Sequence, residues 1–386
     1  MGGPAFHPRG RFQIERRLRQ PRWLTVAVPA GSLVFAFFAS GIVLLATGHD
    51  PLSGYRQLVD AAFVNTGAIG QTLVSATPLA FTGLAAAAAF RMRLFNIGGE
   101  GQLYMGAITA AAAGLYFGGS GGPSAFAITA MVVGGCAGGA AWALIPGLLR
   151  AFFKTNEIIT SLMLNYVAGY VLTYLVFNTE SYWRQTTGFN ASVFPTSKQL
   201  PPSADWPAAV IHVQGGIALP LGAGLALLAA AVLWVLYRRT RFGFEVQVLG
   251  DSPRAAQYAG MRTRRKILAV MGISGALAGL GGASQVGDFS HSLDADPNGL
   301  QKQYYGYAGI VVAALGRYNP FAVVLVAFLI GGLQNAGNTL QGADFPSGLV
   351  GVIQGLILFS ALGGELLVRY RVRFARRPEV VAVEPA

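Results

Sequence analysis

The stretch of the sequence that suggests chemistry most directly is 95–102, Phe-Asn-Ile-Gly-Gly-Glu-Gly-Gln, a polar, glycine-rich segment between two long apolar runs. Asn96, Glu100 and Gln102 supply one carboxylate and two amides. Placing such groups at membrane depth is costly, so they normally face a protein interior or a water-filled path. They therefore predict a substrate pathway through a membrane. An equally consistent interpretation is a helix start, with Asn96 as its cap and Glu100 in the first turn.

A further polar position lies in the apolar segment that follows Thr155. Asn156 has the pattern of a helix cap, and Asn165 follows Glu157 by roughly 12 Å along a helix, towards the middle of a span. An amide at that depth needs a partner. Bonding to a neighbouring helix and lining the pathway beside Glu100 both satisfy this need, so Asn165 is the fourth candidate pathway residue.

The segment 238–266 carries the signature of a compact helix outside any long apolar run. Asp251 or Ser252 is placed to cap it, Pro253 to occupy its first turn and Gly260 to end it. With two alanines and a tyrosine among few charges, this helix presents a small surface suited to a groove on a partner protein. An ordinary surface helix is the alternative.

These features belong to a membrane protein. Of 386 residues, 53% are hydrophobic and only 11% are charged, and several uncharged runs have the ~20-residue length that crosses a bilayer as a helix. We expect an all-α, polytopic fold with about ten transmembrane helices. The predicted spans are 23–46, 69–90, 97–117, 124–149, 157–178, 216–237, 267–286, 305–316, 319–340 and 348–368. Glycine pairs four residues apart, such as Gly135/Gly139 and Gly275/Gly279, predict close helix packing.

The basic residues predict the orientation of these spans. Alternation from a cytoplasmic N-terminus assigns 24 of the 28 lysines and arginines to the cytoplasmic side, as the positive-inside rule requires. This segregation argues against nucleic-acid binding, which a net charge of +12 would suggest in a soluble domain. The predicted parts are a cytoplasmic tail at 1–22, a membrane domain at 23–368, a cytoplasmic tail at 369–386, a cytoplasmic loop at 238–266, and external loops at 179–215 and 287–304. The external loops are sites for an external partner or, alternatively, a packed lid.

An internal repeat emerges when 78–126 is aligned with 273–321. Each part has a small-residue span, a polar break (95–102 or 287–303), a second segment rich in small residues and then a proline. Because the assigned orientation makes corresponding spans run in opposite directions, the repeat predicts a five-plus-five inverted architecture with both termini cytoplasmic. Transporters of this kind bind substrate near the bilayer midplane, at interrupted helices.

Several chemistries are not supported by the sequence. The single cysteine, Cys136, excludes an intrachain disulfide, and the four scattered histidines predict no metal site. None of the four lysines follows a glycine, so the phosphate-binding loop of ATPases is absent. We expect no enzymatic activity and no cofactor bound by this chain, with ATP hydrolysed by a separate polypeptide.

Four motifs in order, at 77–84, 95–102, 155–166 and 250–261, resemble bacterial ABC importer permeases, most of all the nucleoside and simple-sugar group related to the ribose and branched-chain amino acid permeases. The resemblance covers about residues 51–367. It implies a multi-pass protein of the bacterial cytoplasmic (inner) membrane that is paired with a second permease subunit. It also implies a cytoplasmic ATPase, an external substrate-binding protein or lipoprotein, and a small-molecule substrate that crosses by alternating access.

The resemblance implies roles for further residues. A nucleoside would suit the amides, with the rings of Phe95, Tyr305 and Tyr307 available for stacking. A simple sugar is the alternative cargo, and an ion-coupled transporter using Glu100 as its proton site is a rival mechanism. Two residues depart from the family pattern. Gln247 stands where relatives usually carry an arginine, which affects the expected ATPase contact. Ala308 stands where an acidic or polar residue is often found, which affects the expected substrate preference. The residues expected to contact the ATPase are Asp251, Pro253, Arg254, Ala255, Ala256, Tyr258 and Gly260.

Overall fold

The computed structural model describes most of the chain as helices joined by short connections. The described residues are 12–16, 22–187, 195–211, 217–300, 304–340, 348, 351–353, 355–357, 359–360, 363–364 and 370–374. The helices are α1 Arg22–Ala46, α2 Pro51–Val59, α3 Ala68–Phe90, α4 Gly99–Phe117, α5 Ala125–Phe153, α6 Glu157–Phe177, α7 Leu221–Arg239, α8 Arg241–Asp251, α9 Pro253–Tyr258, α10 Thr263–Ser284, α11 Tyr305–Leu315 and α12 Pro320–Thr339. Short π-helical segments at Asp60–Val64 and Gln285–Ser290 extend α2 and α10.

The described residues are mostly helical, as predicted, but they include four short strands that the all-α prediction lacks. β1 (Phe12–Arg16) pairs antiparallel with β4 (Tyr370–Phe374), and β2 (Ala208–Ile211) pairs antiparallel with β3 (Ile217–Pro220). β1 and β4 fall in the segments predicted as tails, and β2 and β3 in a predicted loop and at the start of a predicted span. The sequence alone does not reveal them, because each is only four or five residues long and lacks the longer alternating pattern of a sheet strand.

The first nine predicted spans all coincide with helices. Among the described residues, six helices are long and apolar enough to cross a membrane: α3, α5, α6, α7, α10 with its π-helical extension, and α12. The number becomes seven if the interrupted pair Val34–Ala46 and Pro51–Val64 is one span. α11 has only 11 residues. Much of the tenth predicted span, 348–368, lies outside the described residues.

The chain divides into two compact units, one formed by residues 52–347 and one by residues 1–51 with 348–386. In the larger unit, α3 and α10 contact each other at the centre. α10 packs along α4 and α5, and α3 packs along α11 and α12. The polar segment 95–102 leads from α3 into α4, so it starts in the middle of this helix packing.

Glycines set the close approach of α5 to its neighbours. A Cβ atom at Gly139 would lie 2.6 Å from the Cα atom of Gly279 in α10, and one at Gly135 would lie 3.0 Å from the Gly279 carbonyl oxygen. The neighbouring face of α5 places Gly134 against the backbone of Thr109 in α4. The predicted packing role of these glycines is confirmed, since any side chain there would push the helices apart.

Candidate functional site: a buried polar cluster and an exposed helix

The four predicted pathway residues form one buried polar cluster. Asn96 is 3% exposed, Gln102 is 1% exposed, and Glu100 and Asn165 are fully buried. They come from the connection between α3 and α4, from the first turn of α4 and from the middle of α6. The structure therefore brings together all four residues, and each has hydrogen-bond partners within the protein.

Asn96 and Gln102 bond to each other twice. Asn96 Nδ2 donates to Gln102 Oε1 at 3.0 Å, and Gln102 Nε2 donates to Asn96 Oδ1 at 2.9 Å. Asn96 also donates to the Ser274 hydroxyl of α10 at 2.9 Å, and Ser274 donates to the Ala85 carbonyl of α3 at 2.8 Å. The residue that precedes α4 is Gly98, without a side-chain cap, and Asn96 Oδ1 accepts its N–H. The interpretation of Asn96 as the cap of α4 is therefore wrong, because its side chain folds into a local turn instead.

Glu100 lies in the first turn of α4, but its carboxylate reaches another helix. Oε2 accepts a hydrogen bond from the Gly306 N–H at 2.5 Å, and the carboxylate also accepts from the backbone N–H of Tyr307. Oε1 accepts from the Tyr104 hydroxyl at 2.6 Å. The first N–H groups of a helix have no partner within it and attract negative charge. Glu100 therefore caps α11 from α4.

This contact requires glycine on α11. A Cβ atom at Gly306 would lie 2.5 Å from the Cα atom of Glu100 and 2.6 Å from the carbonyl carbon of Gly99. These neighbours are backbone atoms of α4, which cannot move aside as a flexible side chain can. The close crossing of the two helices therefore depends on Gly306.

Asn165 links α6 to the polar segment 95–102 and to α11. Its Oδ1 accepts from the Gly101 N–H at 2.9 Å, and its Nδ2 donates to the Ile97 carbonyl at 2.8 Å and to the Tyr307 hydroxyl at 3.1 Å. One turn earlier, the Ser161 hydroxyl accepts from the Ile97 N–H at 3.2 Å. Of the two interpretations of Asn165, bonding between helices is the one that the structure displays.

The three aromatic residues predicted to contact the substrate lie in three different environments. Tyr307 belongs to the polar cluster through its hydroxyl and its N–H. Phe95 is 44% exposed and packs against Phe90, with ring centroids 5.3 Å apart. Tyr305 contributes its carbonyl, which accepts from the Thr82 hydroxyl at 2.9 Å.

The predicted compact helix exists as α9. The Ser252 hydroxyl accepts from the Ala255 N–H at 3.4 Å, Pro253 is the first helical residue, and Gly260 has a left-handed φ of +73°. Ser252, rather than Asp251, is therefore the cap. Within α9, Ala256 is fully buried while Tyr258 is 93% exposed, so the helix is anchored at one point and projects the rest of its surface.

Helix α8, which the sequence did not predict, attaches α9 to the end of α3. A Cβ atom at Gly250 would lie 2.6 Å from the Arg91 carbonyl oxygen, so the two backbones touch. Asp251 pairs with Arg93 at 3.4 Å on the surface. Since Asn96 follows three residues after Arg93, the turn at 91–93 connects the projecting helix with the polar cluster.

Comparison with known proteins identifies the family. Residues 68–362 match the family described as branched-chain amino acid transport system / permease component. The chain belongs to this permease family. The guanosine ABC transporter permease protein NupP of Bacillus subtilis is 33% identical over 90% of this chain and 94% of its own length. The glucose ABC transporter permease protein TsgB13 of Haloferax volcanii is 33% identical over 94% of each chain. The nucleoside ABC transporter permease protein NupB of Lactococcus lactis is 31% identical over 86% of this chain and 90% of its own length.

The predicted family and class are thereby confirmed. The protein is a permease, a transport subunit, and with its apolar helices it is a multi-pass protein of the bacterial cytoplasmic membrane.

The permease segments predicted as external loops pack on each other where they are described. Trp206 is 6% exposed, and its backbone N–H donates to the Gly287 carbonyl at 3.1 Å. The Leu200 N–H donates to the His291 carbonyl at 2.7 Å, and the Asp288 carboxylate accepts from the Gly222 N–H at the start of α7. These contacts agree with the packed-lid alternative.

Sequence reasoning missed three partners in the polar cluster. Tyr104 lies four residues after Glu100, a spacing that places both on one helix face, and Ser161 lies four residues before Asn165. Both could have been found from these spacings. No signal marks Ser274, because a single hydroxyl in an apolar helix usually bonds to its own backbone.

Proposed function

We propose that this permease is the membrane subunit of an ABC importer for nucleosides, moving its substrate by alternating access while a separate ATPase supplies the energy. The proposed nucleoside substrate is supported by the similarity of most of the chain to permeases named for guanosine and for nucleosides. The likeness to a glucose permease at similar identity makes a simple sugar the second candidate. Three amides, a carboxylate and the Tyr307 hydroxyl in one cluster suit either hydroxylated cargo.

The proposed architecture is ten transmembrane helices in two inverted repeats of five, with both termini in the cytoplasm. Helix packing supports it: α10 lies along α4 and α5, as α3 lies along α11 and α12. Exchanging α3 with α10, α4 with α11 and α5 with α12 reproduces the same neighbours, which is the relation expected of two repeats about a two-fold axis. The distribution of lysine and arginine supports the orientation.

In the proposed mechanism, α9 is the coupling helix that seats on the ATPase, and a second permease subunit and an external binding protein complete the complex. Residues from Asp251 to Gly260 supply the contact surface, with Arg254, Ala255, Gln257 and Tyr258 exposed. Displacement of α9 would reach the turn at 91–93 through Gly250 and Asp251. That turn leads into the polar cluster, which connects α3, α4, α6, α10 and α11.

In this proposal the polar cluster is the pivot about which the helices move. It also forms one wall of the substrate pathway. Asn96, Glu100, Gln102 and Asn165 are bonded to one another, to other side chains or to backbone groups, which favours motion of the cluster as a unit. Tyr307 is half-buried and lies at its edge, so it is the member with surface left for substrate.

The decisive experiment is uptake of radiolabelled guanosine, with ribose as comparator, into proteoliposomes that contain the permease, its genomic neighbours and internal ATP. Uptake of guanosine that requires ATP and persists with an uncoupler supports the proposal. Uptake of ribose alone would keep the importer and change its cargo. Uptake that ignores ATP and follows an imposed proton gradient would exclude the ABC mechanism and favour the ion-coupled rival.

A further inference from the structure

A cavity of about 790 Å³ opens beside the C-terminal end of α5 and the N-terminal end of α10. Five of its lining side chains are cationic, and none is a carboxylate: Arg150, Lys154, Arg262, Arg264 and Arg265. The remaining wall includes Phe152, Thr263 and Gln257, the last of which belongs to α9. Like charges gathered in one cavity repel one another, so an anion bound there would lower the electrostatic energy.

The partners of these cations leave most of the charge uncompensated. Arg150 pairs with Glu157 at 3.2 Å, and the Arg264 guanidinium lies over the Phe152 ring at 5.3 Å. Among the described residues, no carboxylate lies within ion-pairing distance of Lys154, Arg262 or Arg265. The neighbouring Lys266, by contrast, pairs with Glu245.

The start of α10 adds to the positive potential. Its first turn has no acidic residue, and the preceding Arg262 makes no side-chain cap. The free N–H groups and the dipole of a helix start are also positive, so arginines there raise the potential further. The Thr263 hydroxyl is buried without a hydrogen-bond partner among the described residues. An anion in this cavity would offset the positive charge, and Thr263, which lines the cavity, has a hydroxyl free to donate to it.

The surface next to the cavity indicates which anion is bound. Along the last turns of α5, Leu148, Phe152 and Phe153 are exposed, Phe153 at 75%, and they continue directly from the cationic wall. Because α5 is a candidate membrane span, these side chains face acyl chains, and a phospholipid places its phosphate beside its acyl chains. The juxtaposition of a cationic cavity with an exposed apolar helix end therefore matches one amphipathic ligand.

We infer that this cavity binds the phosphate headgroup of an anionic phospholipid, whose acyl chains lie along α5. The inference rests on the proposed orientation, which places residues 150–154 and 262–267 at the cytoplasmic surface of the membrane. Because Gln257 of α9 forms part of the wall, the bound headgroup contacts the projecting helix as well as the two membrane helices. Lipid in the cavity thus holds α9 against the membrane domain.

The test is a titration of the purified full chain, in nanodiscs of phosphatidylcholine, with phosphatidylglycerol of the same acyl chains. Bound lipid is counted by native mass spectrometry, and the thermal unfolding midpoint is followed in parallel. The cavity variant is Lys154→Gln with Arg262→Gln. The matched control is Arg238→Gln with Arg239→Gln, which removes the same charge at the end of α7. Each cation near an anionic headgroup contributes about 1 kcal/mol, so the cavity variant should bind phosphatidylglycerol roughly 30-fold more weakly, and the control as wild type.

Four results would overturn the inference. Equal weakening in both double variants would mean bulk electrostatic attraction, and stabilisation by phosphatidylcholine alone would mean no headgroup preference. Equal stabilisation by inorganic phosphate would mean a free-phosphate site. If the cavity variant binds lipid as wild type but, when co-expressed with the partner ATPase, no longer co-purifies with it, the cations form an ATPase contact instead. If the double variant fails to fold, Lys154→Gln and Arg262→Gln are tested singly, with about 5-fold weakening expected from each. The lipid test measures no transport, so its result is independent of the guanosine uptake experiment.

Discussion

Replacing Glu100 with glutamine tests whether this carboxylate joins helices or serves the pathway directly. The carboxylate accepts from the Tyr104 hydroxyl and from the N–H groups of Gly306 and Tyr307. Glutamine keeps the shape but has only one acceptor oxygen, so one or two buried donors lose their partner. A hydrogen bond to a charged group contributes about 1.5–3 kcal/mol. The free energy of unfolding should therefore fall by about 2–5 kcal/mol.

The assay compares unfolding and transport in the same preparations. Denaturant unfolding in detergent gives the change in stability, and uptake is measured per folded permease in proteoliposomes. The control is Asp60→Asn, the same carboxylate-to-amide change in a half-exposed side chain that pairs with Arg56 at 3.9 Å. Such a surface change should alter stability by less than about 0.5 kcal/mol.

The expected result is a less stable Glu100→Gln permease whose remaining folded molecules still transport. An equally stable variant that has lost uptake would refute the helix-joining role, because its carboxylate would then act on the substrate or on a proton and not on α11.

Three further substitutions test the contacts around this cluster. Gly306→Ala would push a Cβ atom into the backbone of α4 and should lower the unfolding free energy by about 1–3 kcal/mol or more. The control is Gly224→Ala on α7, where a Cβ atom meets nothing within 4 Å, and it should leave the unfolding free energy unchanged or slightly higher. Equal melting curves for the two variants would contradict the close crossing. Asn165→Leu leaves the N–H of Gly101 and the carbonyl of Ile97 unpaired, so denaturant unfolding should show a loss of about 2–4 kcal/mol, and an unchanged midpoint would mean that water replaces the amide. Gly250→Ala should separate α8 from the turn at 91–93 and reduce the substrate transported per ATP hydrolysed several-fold in the reconstituted complex, while an unchanged ratio would remove this turn from the coupling route.

Some features of the site followed from local sequence. The helix at 253–258 was predicted with its limits, since a serine cap, a proline in the first turn and a left-handed glycine act within a few residues of one another. The polar segment at 95–102 was recognised as the place of interest for the same reason, because its composition breaks an apolar run. Its role in the fold was not predicted, because neither interpretation of Glu100, as a pathway residue or as a first-turn residue of its own helix, includes a contact with a distant helix start.

The sequence by itself determined that the chain is a helical membrane protein, where most of its helices lie and to which permease family it belongs. Those properties depend on hydrophobic runs, local caps and short motifs, which are read along the chain. Only the tertiary structure decided that Glu100 caps a helix start 206 residues away and that Asn96 bonds a serine 178 residues away. Buried polar groups must find partners, but the pattern of one segment carries no record of which distant segment will supply them; that depends on glycine-set helix crossings that form only when the helices pack.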